Sequence, residues 1–173
     1  MSKKAKKKSP TRVGTIAPTF YDFIHAVVSD RPQAERMLQA NPNWIHEKSS
    51  IDETALHDLA VENYVDAARY LLSKGANIDG AQENGTPLTD AAKLGYVEMV
   101  ALLIEHGADL EARDLAENTP LLNASQNGYA AICDLLLAAG ADVFVRDEFD
   151  RSVLDVAHSR KEEQIARILS KYS

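Results

Sequence analysis

The sequence repeats itself at an interval of 32 to 33 residues. Three segments, residues 54–79, 86–111 and 119–144, align without gaps, and each begins with threonine. A diverged fourth copy begins at Ser152. Self-similarity at a fixed period of this length is typical of stacked repeat proteins, in which each unit buries its apolar side against its neighbours. The period therefore predicts a repeat array before any single residue is considered.

Each copy has the pattern of two short helices. In the middle copy, Val97, Val100 and Ile104 recur at helical spacing. A threonine able to cap a helix opens the units, and in two of them a proline follows at the first helical position. A glycine after the second helix supplies the left-handed residue that ends it. Neither helix is long enough to be stable alone, so the units must stack. The residues are Thr54, Thr86, Pro87, Thr119, Pro120, Gly75, Gly107 and Gly140.

These features recur in phase and together resemble the ankyrin repeat. The shared elements are the Thr-Pro-Leu openings, the Gly-Tyr turns and the Gly-Ala-Asp endings of residues 86–111 and 119–144. The resemblance covers about residues 18–172. It implies an all-α repeat fold, an ankyrin-type solenoid of five helix-turn-helix units with β-hairpin-like fingers. It also assigns His57 to the structural histidine of the opening motif.

The resemblance divides the chain into a basic segment and one repeat domain. Residues 1–17 form the basic segment, which is predicted to be disordered, and residues 18–173 form the domain. We expect an N-terminal capping unit, three repeats and a C-terminal capping unit, at residues 18–51, about 52–83, 84–116 and 117–149, and 150–173.

The finger positions depart from the family pattern. Ankyrin fingers often carry glycine two residues before the threonine, whereas this chain has Asp52, Asn84, Glu117 and Asp150 there. Asparagine and aspartate tolerate a left-handed backbone moderately well, but glutamate does so poorly. The finger between Gly75 and Thr86 is also one residue short. We therefore expect irregular finger tips on an intact fold.

The net charge of −7 hides two opposite regions. Residues 1–12 hold six of the 19 basic residues and no acidic residue, whereas the remainder carries all 26 acidic residues. The segment is compatible with a nuclear address, a nucleic-acid tether, a membrane-surface anchor or a solubilising tail. The acidic remainder argues against nucleic-acid binding by the repeats themselves. Nucleic acid or an anionic membrane is thus a partner only through residues 1–12.

The sequence offers few candidates for chemistry. The five histidines form no metal-binding spacing, and no catalytic or phosphate-binding motif is present. Cys133 lies in phase with Val100, which predicts a core thiol. We expect no catalysis, no metal, no cofactor and no small-molecule substrate. Tyr64, Tyr96 and Tyr129 share one repeat position and either pack between neighbouring turns or form an aromatic binding strip.

The same features bear on the compartment. The chain has no run of about 18 apolar residues and no apolar core of a secretory signal near its start. A single cysteine cannot form an internal disulfide. We therefore expect a cytoplasmic protein, with the nucleus as the alternative in a eukaryotic source because of the lysine-rich start.

The ankyrin resemblance implies a partner surface on the concave side, made by finger tips and first helices. From the fingers it takes Ile51, Glu53, Arg113, Leu115, Asn118, Arg146, Phe149 and Arg151. From the first helices it takes Glu62, Lys93, Leu94, Gln126, Asn127 and Arg160. Leu115 and Phe149 are apolar side chains among charges, as in an interaction hot spot. Arg113 and Arg146 either clamp a carboxylate or pair with Asp114 and Asp147.

The predicted function is that of a protein–protein interaction module, monomeric and without catalysis. Two alternatives stay open. One is an inhibitor or immunity-type partner protein. The other is an adaptor that residues 1–12 tether to nucleic acid or to an anionic membrane.

Overall fold

The computed structural model describes residues 18–49, 53–80, 85–160 and 162–172. These residues form ten α-helices in five consecutive pairs, with one 3-10 turn at Pro42–Ile45. The all-α repeat fold predicted from the period is therefore confirmed. The helix pairs are α1 (Phe20–Ser29) and α2 (Arg31–Ala40), α3 (Ala55–Val61) and α4 (Val65–Ser73), α5 (Pro87–Leu94) and α6 (Val97–Glu105), α7 (Pro120–Gln126) and α8 (Ala130–Ala138), α9 (Val153–Ser159) and α10 (Glu163–Leu169).

The helices stack in two layers. The first helices contact one another in the order α3, α5, α7, α9, and the second helices do so in the order α4, α6, α8, α10. The core lies between the layers, where Leu71, Leu103 and Leu136 occupy one repeat position and are fully buried. Every short helix therefore depends on its neighbours for most of its apolar burial.

Local chemistry sets where the helices begin and end. The Thr86 hydroxyl accepts the backbone N–H of Thr89 at 3.3 Å, and Pro87 occupies the first helical position of α5. Ser152 caps α9 in the same way through the backbone N–H of Asp155. After α6, Gly107 adopts a φ of +80°, the left-handed conformation that a helix end favours.

The first unit attaches to the stack through polar contacts as well as apolar ones. The Arg31 guanidinium lies 4.1 Å from the centre of the Tyr70 ring and donates to the Asp66 carbonyl at 2.9 Å. Lys74 forms an ion pair with Glu35 at 2.8 Å. These contacts join α2 to α4. Burial and the neighbouring Glu35 carboxylate raise the pKa of Tyr70 to about 12.

His57 connects the first full repeat to the second. Its buried ring lies between the Thr54 hydroxyl, 3.0 Å from Nδ1, and the Gly85 carbonyl, 3.2 Å from Nε2. At the equivalent position of the next unit, the Thr89 hydroxyl donates to the Thr86 carbonyl within its own turn. The histidine therefore bridges two units, whereas the threonine closes only its own.

Two finger tips share one regular geometry, contrary to the irregular tips expected from the sequence. Asp114 accepts the backbone N–H groups of Ala116 and Asn118, and Asp147 accepts the equivalent N–H groups two and four residues ahead. The residue three positions after each aspartate is left-handed, with a φ of +58° or +60°. An aspartate that satisfies two backbone donors holds the turn without glycine. The tip at 81–84 lies outside the described residues.

Candidate functional site

Finger tips and first helices form one surface along the stack, named here the finger–helix surface. Gln126 on α7 donates its side-chain amide to Asn118 Oδ1 in the preceding finger at 3.0 Å, so helix and finger are joined directly. The Arg113 guanidinium donates to the Arg146 carbonyl at 3.2 Å and joins one finger to the next. The surface is therefore held by contacts within and between units.

Most side chains that the sequence assigns to this surface are open to solvent. Glu53 and Gln126 are half-buried, Asn118 is buried and Ile51 lies outside the described residues. The exposed side chains are Glu62, Lys93, Leu94, Arg113, Leu115, Asn127, Arg146, Phe149, Arg151 and Arg160.

Asn118 does not belong to the accessible surface. Its residue is only 7% exposed, its backbone N–H donates to Asp114 and its side-chain oxygen accepts from Gln126. Because these bonds hold it inside the finger base, it supports the surface and is not free to contact a partner. The sequence placed Asn118 at a finger position but carried no signal for this burial.

The two finger arginines bind backbone carbonyls. Arg113 donates to the carbonyls of Glu117 and Arg146. Arg146 donates to the Asp150 carbonyl at 2.6 Å and lies 3.6 Å from the Asp150 carboxylate. The pairing with Asp114 and Asp147 considered from the sequence is therefore replaced by contacts that brace the fingers.

The finger aspartates have other partners. Asp114 Oδ2 accepts the side-chain amide of Asn123 at 3.0 Å. Asp147 Oδ2 accepts from Arg151 at 2.6 and 2.8 Å. Although burial opposes it, hydrogen bonds from Arg151 and from backbone N–H groups hold the pKa of Asp147 below its usual range. Both carboxylates are thus used to shape the fingers.

Leu115 and Phe149 stand at the two finger tips with 76% and 68% of their surface exposed. Packing on the neighbouring finger therefore covers little of either side chain. The Arg151 guanidinium lies 5.1 Å from the centre of the Phe149 ring and leaves most of the ring open. Two open apolar side chains among charged residues are suited to protein contact.

The N-terminal half of the surface carries carboxylates that sequence reasoning missed. Asp58 on α3 and Asp90 on α5 hold one repeat position, and each is half-buried. Burial raises the pKa of Asp58, and the carboxylates of Glu53 and Glu62 add to this effect. Burial, and to a smaller extent the Glu53 carboxylate, raises the pKa of Asp90 to about 6, although the nearby Lys93 ammonium acts to lower it. The sequence signal that could have identified these carboxylates is the polar residue that recurs four positions after each unit's threonine.

Within the tyrosine series Tyr129 packs against a turn, whereas Tyr64 is 45% exposed. Tyr96 and Tyr129 are half-buried, and the Tyr129 ring lies so close to Gly95 that a β-carbon there would be 2.6 Å from it. Tyr129 thus covers the turn of the preceding unit. This contact favours the packing interpretation over an aromatic binding strip.

The described residues offer no obvious reaction centre. Burial raises the pKa of the Cys133 thiol to about 12, so the nucleophilic thiolate is disfavoured. Among the residues described, no three histidine, cysteine or acidic side chains meet in a group able to hold a metal ion. Within the same residues, none of the helices is long and apolar enough to cross a membrane.

Comparison with known proteins agrees with this geometry. A family model described as ankyrin repeats (3 copies) matches residues 23–114, and a second, described as ankyrin repeats (many copies), matches residues 103–157. The first match alone covers more than half of the chain. The chain belongs to the ankyrin repeat family.

Several curated proteins are similar to this chain over part of its length. Palmitoyltransferase AKR1 of Lachancea kluyveri is 39% identical over 72 residues, which are 40% of this chain and 10% of that protein. Palmitoyltransferase Hip14 of Drosophila melanogaster is 34% identical over 96 residues, 54% of this chain and 15% of that protein. Palmitoyltransferase ZDHHC17 of Danio rerio is 45% identical over 58 residues, 32% of this chain and 9% of that protein. The matches therefore span only a small part of these relatives.

Proposed function

We propose that this chain is a protein-interaction module that binds a protein partner through the finger–helix surface. The observation that carries the proposal is the exposure of Leu115 and Phe149 on adjacent, internally braced fingers. Binding energy at protein interfaces concentrates in a few apolar or arginine anchors surrounded by polar groups. Because the fingers are already ordered, a partner gains contact with these side chains at little conformational cost.

The charges along the surface suggest how a partner is oriented. Glu53, Asp58, Glu62 and Asp90 lie in the first two repeats, and Lys93 is the basic side chain beside Asp90. In the later fingers Arg146 and Arg151 are already paired with Asp150 and Asp147, so the charge match to a partner lies in basic groups that face the first two repeats. Complementary charge of this kind raises association rates and fixes orientation more than it adds affinity.

The palmitoyltransferase names of the relatives bear on this proposal only in part. The shared region accounts for 9 to 15% of those proteins. We propose that it contributes binding and that this chain performs no transfer reaction, since its single cysteine is buried and its thiol is disfavoured as a nucleophile. We also propose that the protein acts in the cytoplasm and that residues 18–173 form a single repeat domain of five units.

A double substitution tests the surface. Partners captured from a cell extract are identified by mass spectrometry, and the affinity of each for the purified chain is measured by calorimetry. Leu115→Ala with Phe149→Ala should weaken binding by at least about tenfold, since truncating a hot-spot anchor typically costs 1–2 kcal/mol or more. The helical circular dichroism should not change, because neither side chain is in the core.

Phe144→Ala is the matched control. Phe144 is 71% exposed and shares a cavity with Leu154, Leu169 and Arg146 but with neither tip residue, Leu115 or Phe149. Its truncation should leave the affinity unchanged. Full affinity in the Leu115 and Phe149 double variant, or an equal loss in the Phe144 variant, would refute this surface as the binding site. No observation in the described residues favours the inhibitor or tethered-adaptor alternatives.

A further inference from the structure

The first helices of the first two repeats share one face that is exposed within the described residues. This face, named here the acidic face, belongs to α3, α5 and the finger residue Glu53 just before α3. It combines carboxylates with two exposed apolar side chains, Val61 and Leu94, the latter 42% exposed. Its members are Glu53, Asp58, Val61, Glu62, Asp90 and Leu94.

The charge of the acidic face is poorly compensated within the described residues. None of the ion pairs formed between described residues includes Glu53, Asp58, Glu62 or Asp90. Asp58 Oδ2 is buried and has no hydrogen-bond partner in the described part of the chain. The groups facing Asp90 are Glu53, Lys93 and Asp114, of which only Lys93 is basic. Two half-desolvated carboxylates in a negative field favour a cationic occupant.

The chain itself carries such an occupant. Residues 1–12 hold six basic side chains and no acidic one: Lys3, Lys4, Lys6, Lys7, Lys8 and Arg12. The described domain begins just before Thr19, the N-cap of α1, and Thr54 is the N-cap of α3. Thr19 and Thr54 thus hold equivalent positions in successive units. Because α1 contacts α3, the start of α1 lies next to the start of α3, where Glu53 is.

The distance from the junction is short enough for contact. The ten residue-to-residue steps from Lys8 to Pro18 span at most about 33–36 Å when extended. Stacked helices lie about 8–10 Å apart, so α3 and α5 are about one and two such spacings from α1. Lys8 is the lysine nearest the junction, and the other four lysines have a longer stretch of chain. All five are therefore able to reach Asp58 and Asp90.

We propose that the basic segment, residues 1–12, binds the acidic face of its own domain. Attachment through the same chain gives the segment a high effective concentration, so weak individual ion pairs suffice. The segment then competes with the basic groups of a partner for the first two repeats and leaves the Leu115 and Phe149 tips open. A partner or polyanion that draws on the lysines must first displace them from the carboxylates.

The first test compares the full chain with a full-length variant in which five lysines become glutamine, at positions 3, 4, 6, 7 and 8. Carboxyl carbon signals of Asp58 and Asp90 are followed by NMR as pH is varied. In low salt, the pKa of Asp90 should be about 1 unit lower in the wild type than in the variant, because nearby cations favour its charged form. At about 1 M salt the difference should vanish. Equal pKa values in low salt would overturn the proposal.

The second test separates segment binding from effects on folding. A synthetic peptide of residues 1–17 is titrated into the glutamine variant, in which the acidic face is vacant. Asp58→Asn with Asp90→Asn should weaken peptide binding by at least about tenfold. Asp134→Asn with Glu148→Gln, two exposed acidic residues off the acidic face, should not.

The outcomes are distinct from those of the proposed function because no protein partner is used. Peptide binding that is equal in both amide variants would show non-specific attraction to the acidic domain and would refute the acidic face. Absence of peptide binding, with binding instead to anionic vesicles or to RNA in the same buffer, would refute self-docking and support a tether. Loss of partner binding in the Leu115 and Phe149 variant is independent of either result.

Discussion

At the scale of single residues, three non-glycine positions in the described part of the chain adopt a left-handed backbone: Asn63, Glu117 and Asp150, with φ near +60°. Asparagine and aspartate accept this conformation through local hydrogen bonds, whereas a glutamate pays a larger steric cost. The finger around Glu117 keeps its shape because Asp114 binds two backbone N–H groups and Arg113 binds the Glu117 carbonyl. The strain is local and should be removable without altering the finger.

Glu117→Gly should stabilise the protein. Glycine removes the strain of about 1–2 kcal/mol that a non-glycine residue has in the left-handed conformation. It also loses more backbone entropy on folding, which costs about 0.5–1 kcal/mol. A net gain in stability of about 0.5–1 kcal/mol is therefore expected. Urea unfolding followed by circular dichroism measures it. Glu148→Gly, at an exposed position of the next tip without a positive φ, should lower stability slightly. A destabilised Glu117→Gly variant would contradict the strain argument.

At the scale of elements, the units are fitted together at their inter-helix turns. Gly95 and Gly128 end the first helices with left-handed φ angles, and each turn is covered by a side chain of the next unit. Tyr129 covers Gly95, and Glu162, at the same repeat position, covers Gly128. Glycine is therefore favoured twice at position 95, once by the left-handed φ angle and once by the Tyr129 ring.

Gly95→Ala should destabilise the protein more than Gly107→Ala. Both glycines have φ angles near +80°, but a β-carbon at Gly107 meets no atom within 4 Å. The Gly107 variant should lose about 1 kcal/mol from backbone strain alone. The Gly95 variant should lose about 2–4 kcal/mol, since overpacking adds to the strain. Thermal and urea unfolding measure both.

A second substitution isolates the steric part. In a Tyr129→Ala background the space above residue 95 is open, so Gly95→Ala should cost only about as much as Gly107→Ala does. Equal costs for the two single alanine variants in the wild-type background would mean that Tyr129 yields freely and that this contact does not fit the units together.

At the scale of the whole molecule, stability should follow the order of the stack. Helix α6 contacts α5 within its own unit and α4 and α8 on either side. Interactions in such an array are dominated by nearest neighbours, so damage to one unit weakens adjacent units more than distant ones. The repeat array predicted from the period should therefore lose stability unit by unit outwards from the site of a substitution.

Leu103→Ala should remove about 2–5 kcal/mol of stability, because Leu103 is fully buried on α6, between the two helix layers. Native-state hydrogen exchange should show the greatest loss of protection in α4, α5, α6 and α8, with smaller losses in α1 and α10. Val97→Ala, an exposed change in the same helix, is the control. An equal loss in all helices would show that the array unfolds as one cooperative unit.

The sequence alone determined the repeat period, the helix pairs, the capping residues and the family, because these depend on residues within one turn of helix or on a pattern repeated along the chain. It also marked Leu115 and Phe149 as apolar residues at finger positions. Each of these features is local, and three similar copies reinforce the same pattern.

Only the tertiary structure decided which polar groups are buried and what they bind. Asn118 is enclosed by Asp114 and Gln126, the finger arginines bind carbonyls, and Arg31 reaches α4 across 35 residues of sequence. The desolvation of Asp58 and Asp90 likewise follows from neighbouring units. Burial and partner choice depend on the distance between side chains that stacking brings together, and no single repeat contains that information.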